Sequence, residues 1–188
     1  TVAVVPQGER VTAAALLSGG FSLVLGTDKG HLVQWFQVRD ANNKNTLTRI
    51  REFRSMGAAI TSVAPEYARK GFLAADEKGG VNLYYATSER LLVERSTDAA
   101  PARLMAFAPR ANAVLLETAR GEIRSAHVEN EYPEISFASL WGKIWYESYE
   151  EPDYIWQSAA ANSDFEPKFS VAPLTFGTLK AAFYAMMV

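Results

Sequence analysis

The sequence predicts a mainly β chain: a partial β-propeller of about three WD40- or quinoprotein-like blades, followed by a C-terminal helical tail. Three observations predict it. A hairpin signature of apolar strand, charged turn, Gly and apolar strand occurs as FSLVLGTDKGHLVQWFQV, GFLAADEKGGVNLYYAT and NAVLLETARGEIRSAHV. The recurrences are roughly 40–50 residues apart, the spacing of a propeller blade. After residue 130 this rhythm gives way to an aromatic run holding three of the four tryptophans. The division that follows is a propeller-like β domain over 1–130, an aromatic helix and connector over 131–173, and over 174–188 the start of a truncated transmembrane or terminal helix.

The first unit opens with a strand over 11–17, runs through its hairpin and closes with TLTRIREF at 46–53, where Leu47 and Ile50 break strict alternation. The second unit has strands at 60–64, in its hairpin and at 90–95. The third has one at 103–108 and its hairpin, with no fourth strand after it. The turn glycines are Gly30, Gly79 and Gly121, each preceded by a base (Lys29, Lys78, Arg120) and followed two residues later by an apolar side chain (Leu32, Val81, Ile123). A three-residue hairpin loop ends on a residue at positive φ, which glycine adopts at low cost. Asp28-Lys29-Gly30 and Glu77-Lys78-Gly79 fit that chemistry better than Ala119-Arg120-Gly121, which lacks the acid. ANNKN at 41–45 reads as a solvated turn.

No Trp-Asp dipeptide occurs, so a generic antiparallel β domain with Gly hairpins remains the alternative. Three blades do not close a ring, because propellers run from about four to eight. TVAVVP suits the last strand of a preceding blade. Either earlier blades are missing, or a homo-oligomer forms through the open blade edges. Arg49, Arg51 and Arg54 line TLTRIREF as an anion-attracting edge or, in the commoner role of edge bases, a guard against aggregation.

In the aromatic run, Ser136 is an N-cap, and Phe137, Leu140, Trp141, Ile144 and Trp145 follow at helical spacing. They predict an amphipathic helix over 137–149 with Lys143 and Glu147 on its other side. Its aromatic stripe either packs on the β domain or lies at a membrane headgroup layer, where Trp and Tyr concentrate. Glu150-Glu151-Pro152-Asp153 reads as a solvated turn without ordered cation-ligand spacing, and 158–173 as a loop. From Leu174 the chain is nearly apolar, with the single charge Lys180. It fits a short terminal helix or the outer turns of a membrane span, where Lys180 snorkels to the headgroups. Trp141, Trp145, Trp156 and Lys180 are the candidate membrane-proximal residues.

The totals exclude several classes. The 188 residues are 48% hydrophobic, 12% aromatic and 21% charged, as in a folded domain. A net charge of −2 lacks the basic footprint of a nucleic-acid binder. Cysteine is absent, which removes disulfides and thiol chemistry without assigning a compartment. No complete span of about 20 apolar residues occurs, and no signal peptide is visible. Thr1 in place of an initiator Met points to a piece of a longer protein. His31 and His127 follow turn glycines, fitting outward strand positions. Gly19-Gly20 and Gly79-Gly80 sit in hairpin connections and open no helix, so they make poor phosphate cradles. No Ser-His-Asp set, HExxH, Walker loop or GxGxxG occurs. The reading assigns no enzymatic activity, no cofactor and no metal site.

The end of the chain resembles a family. Trp156, Gln157 and Ser158, then Asp164 to Lys168, Pro173, Leu174 and Phe176 to Met186, look like the approach to the second transmembrane helix of long-form phosphate-import ABC transporter permeases. WGKIWYE and EEPDYIWQS resemble the same approach. The match covers the last third, and the upstream repeat is consistent with that family's extracytoplasmic insertion. The resemblance implies a non-catalytic periplasmic domain at the bacterial inner membrane, with a docking or regulatory role. Its partners would be the other permease subunit, the ATPase subunit and a periplasmic phosphate-binding protein, with the membrane engaged by the parent chain. A chain stopping at Val188 would not transport by itself. The alternative is a soluble propeller scaffold for protein interaction with no transport link.

Overall fold

Three antiparallel sheets follow one another along the chain, each a simple up-and-down meander. The computed structural model describes residues 4–40, 42–97, 100–129, 132–157 and 166–187. The first sheet holds β1 (Val11–Leu16), β2 (Ser22–Thr27), β3 (Leu32–Arg39) and β4 (Asn45–Phe53) in that order. The second holds β5 (Ile60–Pro65), β6 (Gly71–Asp76), β7 (Gly80–Tyr85) and β8 (Arg90–Ser96). The third has β9 (Ala102–Phe107), β10 (Ala113–Thr118) and β11 (Ile123–His127) and no fourth strand among the described residues. A short helix, α1 (Phe137–Trp141), comes next. A two-stranded sheet of β12 (Trp156–Gln157) and β13 (Lys168–Phe169) and a terminal helix, α2 (Ala172–Met187), complete the fold. The chain is mainly β, with four antiparallel sheets and a C-terminal helix.

The repeat is reproduced down to its irregularities. Bulges fall between Val11 and Ala13 and between Ile60 and Ser62, and opposite Glu117 and Thr118 the register skips from Leu104 to Ala102. A second bulge, between Gln34 and Trp35, has its counterpart between Leu83 and Tyr84. An extra residue at the same place sharpens the twist in the same way. Gly30, Gly79 and Gly121 all take positive φ, at 86°, 86° and 79°, as the hairpin chemistry requires. The acid at the next-but-one position is not what organises these turns. The residue three before each glycine does so: Thr27 Oγ accepts from the N–H of Lys29 and His31, Asp76 from Lys78 and Gly80, and Thr118 Oγ from Glu122. The third turn is thus organised from the same position as the first two, without an acid at Ala119.

The sheets stack through their first strands, β1 against β5 and β5 against β9. Strand alternation gives each sheet two apolar faces, so the middle sheet is buried on both. Val24, Phe53, Phe72 and Tyr84 fill the space between the first and second sheets, with Phe72 and Tyr84 stacked at 5.3 Å and Phe53 edge-on to Phe72 at 4.9 Å. Such aromatic pairs add about 0.5–1.5 kcal/mol to area burial. Leu73, Leu83, Met105 and Val114 fill the next layer.

Four expectations need correction. The helix predicted over 137–149 stops at Trp141. Ser136 does cap it, in a capping box with Ser139, but Gly142 leaves the helix with extended backbone and Ile144 bridges to Asp153 instead. Glu147 is accordingly not on a solvent face. Within the loop predicted over 158–173, Lys168–Phe169 pairs with Trp156–Gln157 and Ala172 already begins α2; residues 158–165 lie outside the described residues. Arg51 is no edge base: it is buried, whereas Arg49 and Arg54 are exposed. His31 precedes β3 and holds Glu9 Oε1 at 2.7 Å.

Candidate functional site

The segment after the third sheet turns back across the first two sheets and fastens there through buried charge. Lys70, 1% exposed, ends the turn before β6. Its ammonium donates to Glu147 Oε2 and to the Ser18 carbonyl, each at 2.6 Å. Ser22 Oγ donates to the other oxygen of Glu147, and Gln34 Nε2 donates to Ser22 Oγ at 2.7 Å. Gln34 Oε1 accepts from Arg51 Nη1, which also donates to the Ala86 carbonyl, while Arg51 Nη2 donates to the Trp145 carbonyl. Arg51 Nε lies 3.5 Å from Glu89 Oε1, an ion-pair distance without a hydrogen bond. The chain then places Glu166 beside this group: its carboxylate accepts from Thr87 Oγ at 2.6 Å and from the Glu147 N–H at 2.7 Å.

The result is a clasp joining the first sheet, the loop ends of the second, and both parts of the C-terminal segment. Ser22 and Gln34 stand on the core-facing side of strands otherwise apolar on that face. A buried hydroxyl and amide there require partners, and the clasp supplies them. Burial pushes the Glu166 carboxyl above the usual range, and the nearby Glu147 charge pushes it further; the Thr87 and Glu147 hydrogen bonds and Arg51 only partly oppose this. Burial likewise lowers the Arg51 guanidinium, against the pull of Glu166, Glu89 and Glu147. Tyr146, buried beside them, is pushed up to about 12 by its own burial and then by Glu166. Breaking one member of such a set leaves an uncompensated charge inside the protein.

From the clasp the chain runs directly into α2. Lys168 Nζ sits over the Tyr146 and Tyr149 rings at 5.5 and 5.7 Å. The Ser170 N–H donates to the Ile155 carbonyl and the Val171 N–H to Leu140, so the base of α2 is tied to α1 and to β12. Beyond that point α2 has no buried residue. Its sixteen residues are nearly all apolar, and Leu174, Phe176, Leu179, Phe183, Tyr184, Met186 and Met187 are all exposed. Among the described residues no helix is long and apolar enough to cross a membrane.

The tryptophans singled out in the sequence divide into two kinds. Trp141 and Trp156 are exposed, one at the end of α1 and the other paired with Phe169 at the base of α2. Trp145 instead packs edge-on against Phe36 at 6.3 Å and donates its Nε1–H to the Tyr149 carbonyl, so it anchors the segment to the first sheet. Lys180 is exposed on α2, over the Tyr184 ring. Gly30, Gly79 and Gly121 lie in their hairpin turns and take no part in the clasp. Of the residues in the resemblance, Ser158, Asp164 and Phe165 lie outside the described residues. Sequence reading missed Lys70, Glu147 and Glu166; the traceable signal was polar Ser22 and Gln34 at core-facing strand positions. No protein-family model matches the chain, and no curated protein matches it.

Proposed function

We propose that this chain is the extracytoplasmic part of a phosphate-type ABC importer permease, with a non-catalytic docking or regulatory role. In this reading the three large sheets are blades of a partial β-propeller, consistent with their meander order, repeated bulges and stacking through first strands. The chain belongs on the periplasmic side of a bacterial inner membrane, beside a second permease subunit and an ATPase subunit. A periplasmic phosphate-binding protein is the partner it docks.

The observation that carries this reading is an almost wholly apolar helix with no buried side chain, leaving a base held by a buried ionic clasp. Apolar surface of that extent requires cover, and a bilayer supplies it. Exposed Trp141 and Trp156 flank the helix base, where amphipathic rings favour the headgroup layer, and Lys180 has the length to snorkel. The clasp gives the role a mechanical basis, since a force on the sheets passes through Lys70–Glu147 and Thr87–Glu166 to the helix.

The test is the full permease reconstituted in vesicles with and without residues 1–130. Loss of binding-protein affinity, or a changed rate of phosphate uptake, is the expected result. Unchanged uptake together with unchanged affinity overturns the docking role.

A further inference from the structure

We propose that a second copy of this chain docks head to tail on the first, the outer face of the third sheet packing on the open part of the first sheet. The chain makes this kind of contact twice already. Aligning the three hairpins on their turn glycines places Val24, Leu73 and Leu115 at one position. Val24 lies under the second sheet and is 0% exposed; Leu73 lies under the third and is 3% exposed; Leu115 is 50% exposed. Leu104 and Ile123 flank it through Glu117 on the same face and are also exposed. This is the forward face of the series, and among the described residues no sheet lies upon it.

The matching backward face is on the first sheet. Leu23 aligns with Phe72 and Val114, which are both buried against a preceding sheet. On the first sheet, Val4 and Val5 cover Leu25, Val33 and Trp35, and Trp35 Nε1 donates to the Val4 carbonyl. The rest stays open as a groove of about 690 Å³ that includes Leu16, Phe21 and Leu47, all exposed. One chain thus carries both halves of an interface it uses internally, and the halves are on different surfaces, which defines a heterologous contact. The pairing does not depend on a link to transport.

One position departs from the internal pattern. Gly26 and Ala75 stand where the third sheet has Glu117. A Cβ on Gly26 would lie 2.6 Å from Ile60, so the next sheet's first strand approaches closely there. Glu117, facing Arg103 at 3.8 Å, holds a docking copy further off than the internal sheets sit.

Sedimentation velocity of the whole chain, from micromolar to submillimolar concentration, tests the proposal. Concentration-dependent association is expected, with Leu115→Glu and Phe21→Glu each abolishing it when alone. Mixing those two variants restores association, because each supplies the half that the other lacks; recovery also shows that both are folded. Glu117→Ala is expected to tighten the assembly. A monomer at every concentration overturns the proposal. So does association surviving in either single variant, or no recovery on mixing two variants whose thermal unfolding matches the parent's.

Discussion

At the scale of single residues, two hairpin glycines with nearly the same φ carry different burdens. Gly121 is at φ 79° with nothing near its missing Cβ, whereas a Cβ on Gly30 would lie 2.6 Å from the Ala58 carbonyl and 2.8 Å from the Gly57 nitrogen. Gly121→Ala is therefore expected to cost only the left-handed conformation, about 1–2 kcal/mol. Gly30→Ala is expected to cost more, since the backbone at Gly57 and Ala58 must also shift. Urea unfolding of the two variants measures the difference, and equal losses would contradict the close approach. Glu166 carries a pH dependence. Burial and Glu147 raise its native carboxyl, so the folded protein holds this proton to higher pH than the unfolded chain does. Below the unfolded carboxylate range both states are protonated and no penalty exists. As pH rises through the native value the penalty develops, and stability falls. Glu166→Gln is expected to raise stability at neutral pH, with its advantage over the parent shrinking as pH falls towards about 4. A constant difference across that range would show that Glu166 titrates normally.

At the scale of elements, strands were legible, and of the short helix only the start at Ser136 and Phe137 was. Apolar runs bounded by Gly turns located β1 to β11 closely, because period-two alternation and turn chemistry are local properties. In the aromatic run the same local reading extended a helical period past Gly142. Phe137, Leu140, Trp141, Ile144 and Trp145 have helical spacing, yet Ile144 is held by a bridge to Asp153 and Trp145 by Phe36. Tertiary contacts set those positions. For α2 the helix was legible and its environment was not, because an apolar stripe and an all-apolar surface differ only in what lies opposite. Since no α2 side chain is buried, ending the chain after Val171 is expected to change unfolding free energy by no more than about 0.5 kcal/mol. Flotation with phospholipid vesicles should then separate the two forms, the full chain floating and the shortened one remaining in solution. A large loss of stability would mean that α2 packs on the domain.

For the whole molecule, the clasp is the feature a linear reading was least able to find. Its partners are far apart in sequence, 125 positions for Ser22 and Glu147, 77 for Lys70 and Glu147, and 79 for Thr87 and Glu166. No period or motif tells which of many acids meets a given lysine across such distances. Lys70 and Glu147 each read as ordinary surface charges until the fold closes over them. Their burial makes the energetics asymmetric. Lys70→Met leaves Glu147 without its cation, still beside Glu166, and is expected to cost about 3–5 kcal/mol. Lys70→Met with Glu147→Leu removes both charges and relieves the repulsion on Glu166, so the double variant should regain most of that loss. Chemical unfolding of the parent, both single variants and the double variant closes the cycle. Additive losses would mean that the two side chains act independently. Strong coupling would place the hold of the β sheets on the base of α2 in this one buried pair.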